Sequence, residues 1–105
     1  MAEGDSRPGR NRVVLSGQIV ARDSLRYTPA GIPALDLTLE HESVQSEGQV
    51  PRTVKATVDA VAIGELARRM DALLPGRNVT IVGFLANRSR RSTRVILHIN
   101  EFETQ

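Results

Sequence analysis

Hydrophobic and polar residues alternate with a period of two along several stretches of this chain, as in β-strands that have one buried and one solvated face. The clearest stretch is residues 34–41, where Leu35, Leu37 and Leu39 alternate with polar side chains. Similar alternation and a high content of β-branched residues predict four further strands. They are residues 11–21, 52–60, 78–86 and 95–103.

One segment has a different period. Between residues 63 and 74 the apolar side chains fall at helical spacing, and Pro75 and Gly76 end the pattern. The segments 22–33 and 42–51 are polar, contain Pro and Gly, and are predicted to be loops. Residues 1–10 have few apolar side chains and predict a flexible N-terminal tail ahead of one domain at residues 11–105.

The predicted order of three strands, one helix and two strands is the order of the OB-fold. The sequence therefore predicts an all-β protein with one short helix, folded as a five-stranded OB-fold barrel. In this fold the loop between strands 1 and 2 and the loop between strands 4 and 5 flank a strand face that binds oligonucleotides or oligosaccharides. Charged side chains in those two loops are therefore the first candidates for a binding site.

Positive charge is concentrated in the predicted loop between strands 4 and 5. Arg88, Arg90, Arg91 and Arg94 lie within residues 87–94, and no acidic residue lies among them. The formal net charge of the whole chain is only +2, so the rest of the chain is slightly acidic. Guanidinium groups match phosphate well, because their planar fork donates two N–H bonds to one phosphate. This loop is therefore the strongest candidate for binding single-stranded nucleic acid.

Other candidate contacts are scattered over the same predicted face. Arg22 and Arg26 follow the first strand, while Arg52 and Lys55 lie on the third. Tyr27 is the best candidate for stacking on a base, although packing against nearby prolines is an equally good interpretation of its position. Together the cations would extend a basic track beside the arginine-rich loop.

Aromatic residues are scarce, with one Tyr, two Phe and no Trp. We expect Phe84 and Phe102 to lie in the core, which leaves Tyr27 alone to stack on a base. Binding should therefore depend mainly on phosphate contacts. If four arginines each neutralise one phosphate of a single strand, the logarithm of the binding constant should fall with the logarithm of salt concentration with a slope of about −3.

Nothing in the sequence indicates catalysis, a metal site or a cofactor. Both histidines, His41 and His98, lie within predicted strands, and the phosphate-loop and nucleophile-elbow motifs are absent. The chain has no Cys, which is typical of a cytoplasmic protein. No apolar run approaches the roughly 20 residues that span a bilayer, so we expect no membrane association.

Several short motifs in order resemble the primosomal replication protein N (PriB) family, which is related to bacterial single-stranded DNA-binding protein. The resemblance covers about residues 11–103. The motifs are Asn11-Arg12, residues 14–17, residues 29–33, residues 39–41, residues 43–45, Gly83-Phe84 and Leu97-His98.

This resemblance implies a homodimeric OB-fold protein that binds single-stranded DNA and contacts the primosomal helicase PriA. It also implies a role in reloading the replicative helicase, with DnaT as a further partner in some bacteria. By position, Arg26 and the arginines of residues 88–94 match the family's DNA-binding groups, and Arg22 matches approximately. Two positions depart from the pattern of some members: Lys55 stands where those members have an aromatic residue on strand 3, and Glu42 stands where some have a basic residue.

Two other functions are compatible with the residues alone. The chain could be an OB-fold protein-interaction module whose arginines contact an acidic protein surface. It could also bind RNA with only weak DNA binding, because no residue here distinguishes ribose from deoxyribose. The expected function is a single-stranded DNA-binding accessory protein of replication restart, and not an enzyme.

Overall fold

The structure, a computed structural model, describes residues 9–105, and this part of the chain contains six β-strands and one short helix. The elements are β1 (Val13–Arg22), β2 (Arg26–Tyr27), β3 (Pro33–Glu47), β4 (Val50–Ile63), α1 (Glu65–Met70), β5 (Asn78–Asn87) and β6 (Val95–Thr104). Most of the predicted N-terminal tail, residues 1–8, lies outside the described residues. Residues 9–12 have no regular secondary structure.

Five of these strands close into a barrel. β1 pairs with β5, β5 with β6, β6 with β4, β4 with β3, and β3 returns to β1. The β4–β6 pairing is parallel and short, with Ala60–Ala62 opposite Leu97–Ile99, whereas the other pairings are antiparallel. β2 adds two residues beside the start of β3, inside the predicted loop. The predicted five-stranded OB-fold barrel is confirmed.

Aliphatic side chains from alternate strand positions fill the barrel. Leu35, Leu37 and Leu39, which the alternation placed on one buried face, are at most 4% exposed. Helix α1 covers one end of the barrel, where Ala67 and Met70 are fully buried. The interior is therefore closed by packing and forms no binding cavity of its own.

Helix α1 is shorter than the segment 63–74 that the apolar spacing predicted. Ile63 is the last residue of β4, and Gly64, with a φ of 82°, makes the sharp turn into the helix. A positive φ of this kind costs little only in glycine. After Met70 the chain turns, and Leu74, which the helical pattern would have buried, is 72% exposed.

The polar segment 42–51, predicted to be a loop, is the outer part of a long β3–β4 hairpin. The two strands stay paired from Ala34 opposite Ile63 to Glu47 opposite Val50. Gly48 and Gln49 form the turn with φ values of 58° and 66°, as in a type I′ hairpin turn. Residues 42–55, here called the hairpin arm, pair with no third strand in the described chain. Water reaches both faces of residues 42–51, so no alternation marks this part of the arm as strand, whereas residues 52–55 belong to the predicted strand 52–60.

No helix in the part of the chain that the structure describes is long and apolar enough to cross a membrane.

Candidate nucleic-acid interface

The connection between β5 and β6 is a turn held by hydrogen bonds of its own; residues 88–94 are here called the arginine loop. The backbone N–H of Arg88 donates to the carbonyl oxygen of Arg94 at 2.8 Å, and the N–H of Ser92 donates to the carbonyl oxygen of Ser89 at 3.2 Å. The backbone N–H of Arg94 also donates to the Ser92 hydroxyl at 3.0 Å. These bonds give the arginine side chains an ordered base at the rim of the barrel.

The four arginines of this loop are not equivalent. Arg88, Arg90 and Arg91 are exposed and form no ion pair with any carboxylate of residues 9–105. Arg94 instead forms an ion pair with Asp59 of β4. Three guanidinium groups therefore remain available to phosphate, one fewer than the sequence predicted.

Arg26, on β2, is held by a carboxylate in the same way. Its Nε donates to one oxygen of Asp36 at 2.6 Å, and a terminal nitrogen donates to the other oxygen at 3.2 Å. The hydrogen bond with Asp36 raises the pKa of Arg26 above its usual value, with burial opposing this effect. Arg26 is therefore cationic at any working pH, but its planar fork already faces a protein carboxylate.

Arg22 is largely buried and its hydrogen bonds lie within the fold. Its guanidinium donates to the backbone oxygens of Asp71 at 2.6 Å and Leu73 at 3.0 Å, and it forms an ion pair with the Asp71 carboxylate. Its side chain is only 15% exposed. These contacts tie the end of β1 to carbonyl groups that the end of α1 leaves unpaired. Arg22 also lines the larger of the two cleft depressions described below, but these bonds hold its guanidinium, and we assign it a structural role.

Arg52 and Lys55 lie on the hairpin arm, beyond the barrel, and both are exposed. Arg52 forms an ion pair with Glu47, in which nitrogen and oxygen are 2.5 Å apart. Lys55 is opposite Glu42 in the strand register. Each cation of the arm therefore has an acidic neighbour, which lowers the positive potential there.

Tyr27 is 55% exposed, as the sequence analysis expected. The guanidinium carbon of Arg68 lies 5.9 Å from the centre of its ring. One face of the ring is therefore partly taken by a cation from α1. Tyr27 stands at the edge of the barrel face, next to Arg26.

A cleft on the outer face of the barrel brings several of these side chains together. It consists of two adjoining depressions of about 270 and 240 Å³, which share Asp36, Arg88 and Ile96 in their linings. The first depression also has Asp59 and Arg94 in its lining. The second depression adds Arg26, Val61, Ile63 and His98. The cleft thus combines cations from both predicted loops with several apolar side chains and three carboxylates, those of Asp23, Asp36 and Asp59.

The expectation that Phe84 lies in the core was wrong. Phe84 is 36% exposed, and its ring stacks on His98 with ring centres 5.0 Å apart and planes 10° apart. Phe102 does pack against the core, although its ring is half-buried and Arg69 lies 5.2 Å from its centre. Sequence reasoning missed Phe84 because its position within an apolar strand resembled a core position.

His41 connects the base of the hairpin arm to β1. One ring nitrogen lies 2.6 Å from the backbone oxygen of Ser16, and the other lies 2.7 Å from the Ser43 hydroxyl. Both nitrogens therefore have partners in the fold. Within residues 9–105, no group of three or more His, Cys, Asp or Glu side chains could hold a metal ion.

Comparison with known proteins matches this barrel to proteins of two related kinds. Residues 11–101 match a family described as another single-strand binding protein family. Replication restart protein PriB of Nitrosomonas europaea is 37% identical over 97 residues, which span 92% of this chain and 90% of that protein. Replication restart protein PriB of Bordetella pertussis is 40% identical over 91 residues, or 87% of this chain and 85% of that protein.

Solved structures give the same result. A structure of PriB from Ralstonia solanacearum superimposes with a TM-score of 0.84 at 33% identity, covering 92% of this chain and 99% of that one. The wild-type single-stranded DNA binding protein of Thermus aquaticus superimposes with a TM-score of 0.75 at 26% identity. That match covers 92% of this chain but 50% of the longer protein.

Proposed function

This chain belongs to the replication restart protein PriB family of single-strand binding proteins, and we propose that it binds single-stranded DNA as a non-catalytic accessory protein of replication restart. In this role it stimulates the primosomal helicase PriA and helps to reload the replicative helicase. The observation that carries the proposal is the arginine loop. Arg88 of this loop lines the cleft, and none of Arg88, Arg90 and Arg91 forms an ion pair with a carboxylate of residues 9–105.

The geometry supports a binding mode in which phosphates are the main contacts. Arg88 lines both depressions of the cleft, while Arg90 and Arg91 extend from the tip of the same loop. Since each phosphate neutralised on a single strand contributes about −0.7 to the log–log salt slope, three arginines predict a slope of about −2. This is shallower than the value that four free arginines would give, because Asp59 holds Arg94.

Fluorescence anisotropy with a labelled oligo-dT, measured over a range of salt concentrations, tests this proposal. The variant Arg90→Ala/Arg91→Ala should bind more weakly and flatten the slope by about 1.4, because two phosphate contacts are lost. The matched control is Arg69→Ala/Arg77→Ala, which removes two exposed charges elsewhere. Equal flattening in both variants, or no wild-type binding at low salt, would contradict the proposal.

We propose that the protein acts as a homodimer, paired through β1. From Val13 to Gly17 this strand pairs with β5 on one edge, whereas β3 joins the other edge only from Gln18 onward. From Val13 to Gly17 the second edge therefore pairs with no other strand of the described residues, although His41 contacts the backbone oxygen of Ser16, and Val14 is 55% exposed. An open strand edge is a template for pairing with another chain. Light scattering should give twice the mass of 11.5 kDa; a monomer at micromolar concentration would contradict this.

The second candidate function is that of a protein-interaction module. The mixed charge of the cleft supports this function as an alternative to DNA binding. Asp36 and Asp59 hold Arg26 and Arg94, so only part of the positive charge is available to DNA. Pull-down of PriA and of DnaT in the presence and absence of nuclease separates the two functions. Capture that survives nuclease indicates direct protein contact, and capture that nuclease abolishes indicates bridging by DNA.

RNA binding differs from DNA binding in the sugar that the cleft must accept. Competition between RNA and DNA oligomers of the same sequence against labelled oligo-dT measures the preference directly. Stronger competition by DNA supports the proposed function, and stronger competition by RNA would replace it.

A further inference from the structure

Phe84 and His98, here called the ring pair, form a flat double layer on the outer face of the barrel. They lie directly opposite each other on β5 and β6. The two rings are nearly parallel, 10° apart, with centres separated by 5.0 Å. His98 also lines the cleft, together with Arg88 and Ile96. The ring pair therefore continues the cleft toward β5.

A β-bulge beside Gly83 places the two rings face to face. The register moves from Val82 opposite Glu101 to Gly83 opposite Ile99, so β6 contributes one extra residue at this point. A Cβ atom on Gly83 would lie 1.9 Å from the carbonyl oxygen of His98. Only glycine permits this close approach of the two strands. Bulges of this kind redirect neighbouring side chains and are frequent beside binding sites.

Phe84 is exposed, whereas two other large apolar side chains of its strand lie in the core. Ile81 and Val79, on the same strand, are fully buried. Leaving an aromatic ring in water forgoes the free energy gained by burying its area. Its outward direction follows from strand alternation, because Phe84 lies an odd number of residues from the buried Val79 and Ile81, and the imidazole of His98 stacks on its ring. The fold thus presents an aromatic surface at the edge of a cleft that carries cations.

We propose that the ring pair is a nucleobase-stacking platform, on which one base of a bound single strand packs. This proposal rests on the proposed function. A nucleobase is flat and apolar on its faces, and it matches an exposed phenyl ring whose plane is already fixed. Arg88, at the same cleft, then meets a phosphate of that strand. Tyr27 is less suited to this role, because Arg68 partly covers its ring.

The platform makes binding depend on the presence of bases as well as phosphates. Wild-type protein should bind oligo-dT more tightly than an oligomer of the same length whose nucleotides are abasic. Phe84→Ala should weaken binding of oligo-dT at least about fivefold while leaving abasic binding and the salt slope unchanged. Leu85→Ala is the matched control: Leu85 is the next residue on the strand and 43% exposed, but points to the opposite side of the sheet. This control should leave both affinities unchanged.

A second variant reports on stacking directly. The chain has no Trp, so Phe84→Trp introduces a single fluorophore at the platform. Its fluorescence should be quenched on binding oligo-dT, and unaffected by the abasic oligomer. If Phe84→Ala binds oligo-dT as tightly as wild type, or if the abasic oligomer quenches the fluorophore equally, the platform is refuted and the proposed function stands. If wild type binds neither oligomer, both are refuted.

Discussion

Replacing Asp59 by Asn should strengthen single-strand binding, because the change frees a guanidinium that the fold now holds. Asp59 on β4 forms an ion pair with Arg94 of the arginine loop, and both line the cleft. Asparagine keeps the size and shape of the aspartate side chain and removes its charge. Arg94 can then turn toward a phosphate. The pair is partly exposed, at 32% for Asp59 and 65% for Arg94, so losing it should cost less than about 1 kcal/mol of unfolding free energy.

The size of the effect follows from the number of free arginines. Arg88, Arg90 and Arg91 give the wild type a log–log salt slope of about −2, at about −0.7 per phosphate. Freeing Arg94 adds one contact and steepens the slope to about −3. When the salt concentration falls from about 200 to about 50 mM, the binding constant of both proteins rises. The rise for the variant should be about 2.5 times larger than the rise for the wild type.

Anisotropy titrations of labelled oligo-dT over this salt range measure both slopes. The variant Glu65→Gln makes the same change of net charge on α1, where Glu65 lies 3.8 Å from Arg68 and away from the cleft. This control should keep the wild-type slope. An unchanged slope in Asp59→Asn, or equal steepening in both variants, would refute the assignment of Arg94 as a held phosphate contact.

Two further predictions concern stability. Gly83→Ala should lower the free energy of unfolding by about 1–3 kcal/mol, because a Cβ would collide with the His98 carbonyl oxygen; thermal unfolding measures this. Gly9→Ala, where nothing lies within 4 Å, is the control, and equal stability of the two variants would argue against the close approach. Arg22→Ala should lower the free energy of unfolding, measured by urea denaturation, by about 1–3 kcal/mol, since it removes the hydrogen bonds to Asp71 and Leu73. Its salt slope for oligo-dT should stay at the wild-type value, and a flatter slope would show that Arg22 contacts DNA.

The barrel could be predicted from sequence wherever its strands have one buried face. Residues 34–41 show the period of two because Leu35, Leu37 and Leu39 fill the interior while their neighbours face water. Residues 42–51, the outer part of the hairpin arm, could not be recognised in this way, since neither of their faces is buried. Its positive-φ turn at Gly48 and Gln49 lacks the Asn-Gly or Asp-Gly sequence that marks such turns most clearly.

The sequence predicts where the arginine-rich loop lies in the fold, but not how many of its guanidinium groups are free of ion pairs. The sequence places four arginines between the last two strands, but it does not show which cations of the site are held by carboxylates that lie far away along the chain. Arg94 pairs with Asp59 and Arg22 with Asp71, contacts that exist only after the barrel closes. Alternation from the buried Val79 and Ile81 puts Phe84 on the outer face, but its stacking on His98 depends on the register set by the bulge opposite Gly83, which an isolated glycine in an apolar strand does not reveal.

The short parallel pairing of β4 with β6 also determines when the cleft can exist. The β3–β4 hairpin joins neighbours in sequence and can form early, whereas closing the barrel joins distant segments, which is a slow, non-local step. Ile96 and His98 of β6 line the cleft. A chain still emerging from the ribosome therefore lacks this surface until β6 is released.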